Sequence, residues 1–312
     1  MKTFTRMFCL FSIAWIANPV VAAPQCPTGT VGYWPMEVDG TEVVNNIAGS
    51  LVGGVSFSAG QAGQAAYIDG DIGSYIDAGM SALLTGFGNN SMSLSAWVYR
   101  ETDGTAGDSD GTIITARSSC NTGNWQFYSS LGSSFYYSKW DGFGQEDQTF
   151  SSNAIPLQVW THVAVTYASN EVRFYINGNL DNTVSPLLFG GNINPVVQDV
   201  QIGWDSCGSY FNGGLDEVAI FDVTLTQAEV SNLYLKGFNG QSFCSSDADD
   251  DGVDDELDIC PLTTGTALLD GCDCSQILDF KPGSGGRCNR GTLSVFANRI
   301  GWASDVPVPP DP

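Results

Sequence analysis

An all-β fold, a two-sheet antiparallel jellyroll sandwich with one short closing helix, is predicted for residues 23–240. Three observations carry the prediction. From about residue 27 to 223, apolar residues alternate over short segments separated by Gly, Asn, Asp and Ser clusters, with no helical period of any length. Asn177-Gly178 stands between two alternating segments as a two-residue hairpin turn. The one legible helix signal follows the last strand, where a helix closes a sandwich rather than entering it.

The elements follow in order. SLSAWVY at 93–99 sets Leu94, Ala96 and Val98 against Ser93, Ser95 and Trp97. WTHVAVTY at 160–167 puts Val163, Val165 and Tyr167 on one face, and VRFYING at 172–178 does the same with Val172, Phe174 and Ile176. LDEVAIF at 215–221 is a further strand, on which Asp216 is expected to share a face with Val218 and Ile220. Trp34, Trp97 and Trp160 are expected in the core. Thr226 and Glu229 have the spacing of a capping box, Leu225 and Val230 that of a staple, and Val230, Leu233 and Tyr234 form an apolar stripe, with Gly237 as the expected stop.

The two ends differ from this body. Lys2 and Arg6, the apolar run from Met7 to Ile16 and the small residues Val20–Ala23 read as a secretory signal peptide over 1–22, the cut falling after Ala22 or Ala23. That run is shorter than the roughly 20 residues a bilayer requires, so membrane insertion is not expected. Residues 241–312 form a separate segment. Positions 247–258 read DADDDGVDDELD, eight acids in twelve, and a stretch rich in Cys, Gly and Pro follows. A net charge of −23 excludes nucleic acid as a partner and favours divalent cations or neutral ligands.

Nine cysteines are present, and Cys9 leaves with the signal, so eight remain in an oxidising compartment and disulfides are the default. Cys120 and Cys207 both follow candidate strands and are expected to pair. Cys26 and Cys244 flank the sandwich and form one candidate pair; Cys244 with Cys260 is the competing one.

The β region resembles the laminin-G-like, concanavalin-A-like jellyroll family. The matching residues are GYWPM at 32–36, Asp69-Gly70 before SYIDAG at 74–79, SLSAWVY, WTHVAVTY, FYINGNL at 174–180, and FNGGLDEVAIFDVTLTQAEVSNLY at 211–234. The resemblance implies a structural calcium held by Asp216 with carbonyl oxygens of Gly70 and Glu37. The acidic run resembles a single thrombospondin type 3 calcium repeat. Asp247, Asp249 and Asp251 fall at loop positions 1, 3 and 5, Gly252 and Val253 at 6 and 7, Asp258 at 12, and Cys260-Pro261 follow. Calcium takes six to eight oxygen ligands, and carboxylates at alternate positions converge on one point where the chain turns at Gly252.

Catalysis is not expected. His162 is the one histidine and sits inside a strand, and Asp216 and Glu217 are adjacent, so a regular strand turns them to opposite sides. The remaining functional hint is aromatic. Trp125, Tyr136, Tyr137 and Trp140 crowd one region, where exposed rings stack on sugars and buried ones fill a core. The leading expectation is therefore a secreted or cell-surface, calcium-dependent binding or adhesion module for a glycan or a cell-surface or matrix protein. The competing one is a glycoside hydrolase-like enzyme or an accessory subunit of a secreted degradative enzyme.

Overall fold

The computed structural model describes residues 26–70, 73–85, 91–102, 110–120, 122–130, 134–141, 143–185, 187–188 and 193–244. In chain order the elements are β1 (Thr30–Trp34), β2 (Ser50–Val52), β3 (Ser56–Ala59), β4 (Gln64–Ile68), β5 (Tyr75–Met80), the single turn α1 (Ala82–Thr85), β6 (Ser91–Arg100), β7 (Asp110–Ser119), β8 (Thr122–Ser130), β9 (Ser134–Trp140), β10 (Glu146–Ala154), β11 (Thr161–Ala168), β12 (Glu171–Ile176), β13 (Asn179–Val184), β14 (Asp199–Ile202), β15 (Gly213–Phe221) and α2 (Gln227–Phe238). They form a two-sheet antiparallel sandwich. The first sheet runs β13-β12-β11-β6-β15-β4-β3, with β1 also paired to β15, and the second runs β10-β9-β8-β7-β14-β5-β2.

The expected alternation sets the core. Leu94, Ala96 and Val98 of β6, Val163, Val165 and Tyr167 of β11, and Val172 and Phe174 of β12 meet Ile114, Trp125, Phe127, Phe135 and Tyr137 of the second sheet between the layers. The same alternation turns Lys139 inward, and burial of its ammonium is matched by Asp147 on the neighbouring strand at 3.3 Å. Asn177 and Gly178 have φ of 48° and 72°, the left-handed pair that a tight hairpin between β12 and β13 requires.

A second apolar layer lies on the outer face of the first sheet. There Tyr33, Trp97, Ala164, Tyr175, Ala219 and Phe221 are covered by Leu225 before α2, by Val230 and Leu233 of α2 and by Phe243 and Cys244 beyond it. The capping box is formed: the Thr226 hydroxyl accepts from Glu229 N and the Glu229 carboxylate from Thr226 N. Gly237 does not end the helix. It lies within the last turn, where an added Cβ would stand 2.0 Å from Trp97 Nε1, so glycine here permits close approach of helix to sheet. The stop is Gly240, with φ of 76°, after a cap in which Gly240 N donates to Gly237 O and Gln241 N to Lys236 O.

Among the described residues, two disulfides fix the periphery. Cys120–Cys207 ties the β7–β8 hairpin to the loop after β14, as the strand placement requires. Cys26–Cys244 joins the two ends of the described fold, deciding the alternative that sequence left open. No helix among the described residues is long and apolar enough to cross a membrane.

Candidate functional site

The outer face of the first sheet beside α2 concentrates the unusual chemistry. In β15, Asp216 lies opposite Trp97 and Ala219 opposite Ser95, so β15 contains one residue more than β6 over this stretch. Glu217 is that bulge, with φ of 51°, a left-handed conformation costly for a non-glycine residue. The bulge corrects the expectation for this strand. Asp216 shares the outer face with Trp97 rather than the inner face with Val218 and Ile220, and Glu217 reaches the same outer side to meet Tyr33.

Both carboxylates are buried, with different partners. Asp216 Oδ2 accepts from the backbone N–H groups of Gln61 and Ala62 in the β3–β4 turn, at 2.8 and 2.9 Å. Glu217 accepts from Tyr33 Oη at 2.7 Å, Ser242 Oγ at 3.2 Å and Phe243 N at 2.5 Å, holding the chain after α2 against the sheet. Burial, and then the neighbouring Asp216 carboxylate, push Glu217 well above the usual carboxylate range. Burial raises Asp216 to about 7, opposed by the turn amides and reinforced by Glu37.

Glu37 completes the group. Met36, left-handed with φ of 58°, bends the chain after β1, and Glu37 Oε2 accepts from Gln64 N at 3.0 Å at the other end of the turn that Asp216 holds. Asp216 Oδ1 is buried and has no hydrogen-bond partner. An orphaned carboxylate oxygen and a second carboxylate near it are hard oxygen donors of the kind a calcium ion takes, and a cation there would relieve the burial of charge. The side-chain carboxylate of Glu37 faces this turn, whereas the expectation assigned its carbonyl. Gly70 is not brought here. The pairing of β4 with β15 places it past the end of β4 remote from Asp216, beside Tyr210 and Phe211, so it is not a ligand of an ion at Asp216. The acidic-run positions Asp247, Asp249, Asp251, Val253 and Asp258 lie outside the described residues.

The crowded aromatics divide between two faces, and none offers an open ring. Trp125 and Tyr137 point into the sandwich core. Tyr136 and Trp140 alternate to the outer face of the second sheet, yet both are buried. Tyr136 stacks on Tyr128 at 4.9 Å and Trp140 packs under the Arg117 guanidinium, which pairs with Asp205. The ligand-binding expectation for these four is corrected on that ground.

Partly exposed aromatics form one group on the first sheet, two residues along β15 from Asp216, and another, Tyr75, Trp204 and Tyr210, beside the second sheet. In the first group, Tyr67 of β4 and Tyr99 of β6 are the cross-strand neighbours of Gly214, and Trp160, expected in the core, lies partly exposed against Tyr99 and Gly214. A sequence signal was available: two glycines, Gly213-Gly214, opening a strand mark the close approach of another group.

His162, on the same outer face, is a structural residue. Its Nε2 meets Ser95 Oγ at 2.9 Å, and its ring lies among Trp97, Tyr234 and Phe243. Burial of the imidazolium lowers its pKa to about 3. The unfolded chain, titrating near 6.5, takes up the proton first, so the contribution of His162 is intact above about pH 6.5 and is lost as pH falls toward 3, at about 1.4 kcal/mol per pH unit. Urea melts of wild type and His162→Gln from pH 7.5 to 4.5 are expected to converge by this slope; a constant difference contradicts it.

Comparison with known proteins bears on the fold and the family. Residues 66–231, just over half of the chain, match the family model described as the Concanavalin A-like lectin/glucanases superfamily, of the laminin G type. No curated protein sequence is similar enough to count as a relative. Among solved structures, domain 4 of AbnA, a GH43 extracellular arabinanase from Geobacillus stearothermophilus, in complex with arabinotriose, superposes with a TM-score of 0.51 at 20% identity, over 66% of this chain and 98% of that domain. The binding domain of botulinum neurotoxin serotype G gives 0.53 at 17%, over 66% and 50%. The binding domain of Paraclostridial Mosquitocidal Protein 1 gives 0.52 at 18%, over 66% and 52%. The chain thus spans about half the length of the two toxin domains, and at these identities the likeness is one of fold.

Proposed function

We propose, from the premise that the chain belongs to the concanavalin A-like lectin/glucanases superfamily, that it is an exported, calcium-stabilised module that binds a glycan or an extracellular protein and does not itself catalyse a reaction. The observation that carries the calcium reading is the buried, unpartnered Oδ1 of Asp216 beside Glu37. The binding reading is supported by the described neighbours, one bound to arabinotriose and two named as binding domains. It is supported also by the use made of the acidic pair: Asp216 and Glu217 are enclosed by the β3–β4 turn and by the chain after α2, and each anchors backbone rather than facing a cleft.

Calcium at Asp216 would supply positive charge to two crowded carboxylates and fix the β3–β4 turn. A second ion is proposed for the acidic run, held by Asp247, Asp249, Asp251, the Val253 carbonyl and Asp258. Asp251→Ala or Asp258→Ala is expected to remove one calcium per chain and to expose residues 245–275 to protease, since the remaining acids repel without their counter-ion. Limited proteolysis read by mass, with calcium counted by plasma emission, tests this. A first cut within 30–235, or an unchanged calcium count, removes the acidic run from the metal reading. A glycan array probed with and without calcium, with arabinan oligosaccharides included, tests the binding reading; an array silent in both conditions speaks for a protein partner.

A further inference from the structure

We infer that the partly exposed aromatic cluster Tyr67–Trp160–Tyr99, built around Gly214 on the outer face of the first sheet, is the contact site for an uncharged sugar ring. The inference deepens the glycan-binding reading above and rests on it.

Four observations converge. The cluster comes from four separate parts of the chain that register brings together: Gly214 pairs with Tyr67 on one side and with Tyr99 on the other. Gly214 lets the rings close over the strand: a Cβ there would stand 2.8 Å from Trp160 Cη2 and 3.2 Å from Tyr67 Cζ, so the indole occupies the space a side chain would fill. Tyr99 and Trp160 lie 5.6 Å apart, and Tyr67 and Tyr99 6.5 Å, both pairs tilted, which gives a faceted surface about as wide as a sugar ring. The segment leading to Trp160 is held in place by backbone rather than by burial. Gln158 is left-handed with φ of 57°, its N–H donates to Arg100 O at 2.7 Å, and Leu157 and Val159 beside it are 40% and 53% exposed. Apolar side chains exposed together at the rim of an aromatic cluster mark a contact surface.

Charge selects the class of ligand. Arg100, the cation next to the cluster, is 4% exposed and directs its guanidinium to Ile155 O at 2.7 Å, away from the rings. The adjoining Glu101 is exposed, and the protein as a whole carries −23. A uronic or sulfated polymer is repelled by that field. A neutral sugar presents an apolar C–H face to the rings and hydroxyls to the phenol oxygens of Tyr67 and Tyr99, amphipathic groups suited to both.

The test is affinity electrophoresis of the mature protein in gels containing neutral xylan, mannan, galactan or β-glucan, with polygalacturonate and dextran sulfate as the acidic arms. The wild type is expected to be retarded by at least one neutral polymer and by neither acidic one. Trp160→Ala and Tyr67→Ala are expected to weaken that retardation about tenfold or more, which corresponds to about 1.4 kcal/mol. Circular dichroism melts establish that each variant is folded. Tyr67 is at the surface, so Tyr67→Ala decides the matter should Trp160→Ala not fold. Full retardation of both folded variants by a neutral polymer overturns this site and leaves the glycan-binding reading standing. Retardation by the acidic polymers overturns the ligand class. No retardation in any gel overturns both the site and the glycan reading.

Discussion

Glu217→Ala is expected to destabilise the fold by about 3 kcal/mol, because two buried donors and one half-buried donor lose their shared acceptor and each unsatisfied buried group costs about 1–3 kcal/mol. The donors are Tyr33 Oη, Ser242 Oγ and Phe243 N, drawn from β1 and from the chain after α2, so the loss falls where the helix end is fastened to the sheet. Glu217→Gln is expected to lose far less, since burial already favours the uncharged acid and the amide oxygen still accepts from Tyr33. Urea unfolding separates the two variants. The Cys26–Cys244 bond remains in both, so the chain ends stay joined and the difference isolates the carboxylate. Equal losses for Ala and Gln indicate that the charge, not the acceptor, holds this region.

Asp216→Asn is expected to leave the calcium-free fold nearly as stable as wild type and to abolish the calcium effect at this site. The amide oxygen still accepts from Gln61 and Ala62, whereas the anion that calcium needs is gone. The pH dependence follows from the raised pKa. The folded state without cation holds the Asp216 proton up to about 7, whereas the unfolded chain releases it near 3.8, so the neutral acid contributes its full share below about pH 4 and loses it as pH rises through 7. Calcium bound at Asp216, as proposed, would compete with that proton. Its stabilising effect is therefore expected to grow between pH 5 and pH 8 in wild type and to lack this component in Asp216→Asn. Melts in calcium and in chelator at pH 5, 6.5 and 8 measure it, and a calcium shift independent of pH would count against Asp216 as a ligand.

Most of the sandwich was legible because its signals are local. The alternation of Leu94, Ala96 and Val98, and of Val163, Val165 and Tyr167, names the core face whatever the neighbours are. The Asn177-Gly178 turn and the Thr226–Glu229 capping box are likewise set within four residues. What could not be read depends on a partner strand. LDEVAIF runs on as one regular strand until β6 is laid beside it, and then the extra residue at Glu217 moves Asp216 to the other face. Gly237 has the spacing of a helix stop, and Trp97 across the sheet decides that it is a contact instead. The aromatic candidates failed for the same reason. Clustering in sequence at 125–140 does not determine exposure, and the partly exposed rings Tyr67 and Tyr99 are brought together by pairing with Gly214, far along the chain from both, with Trp160 packed against that glycine.

The most direct test of a calcium-stabilised module is the thermal melt of residues 23–312 in millimolar calcium against the same protein in chelator. A ligand at about a hundred times its dissociation constant adds about 2.7 kcal/mol to the folded state. At about 2–4 °C per kcal/mol for a domain of this size, calcium is expected to raise the midpoint by about 5–10 °C. Part of that shift is expected to disappear in Asp216→Asn. Superimposed wild-type melts in calcium and chelator would contradict the account.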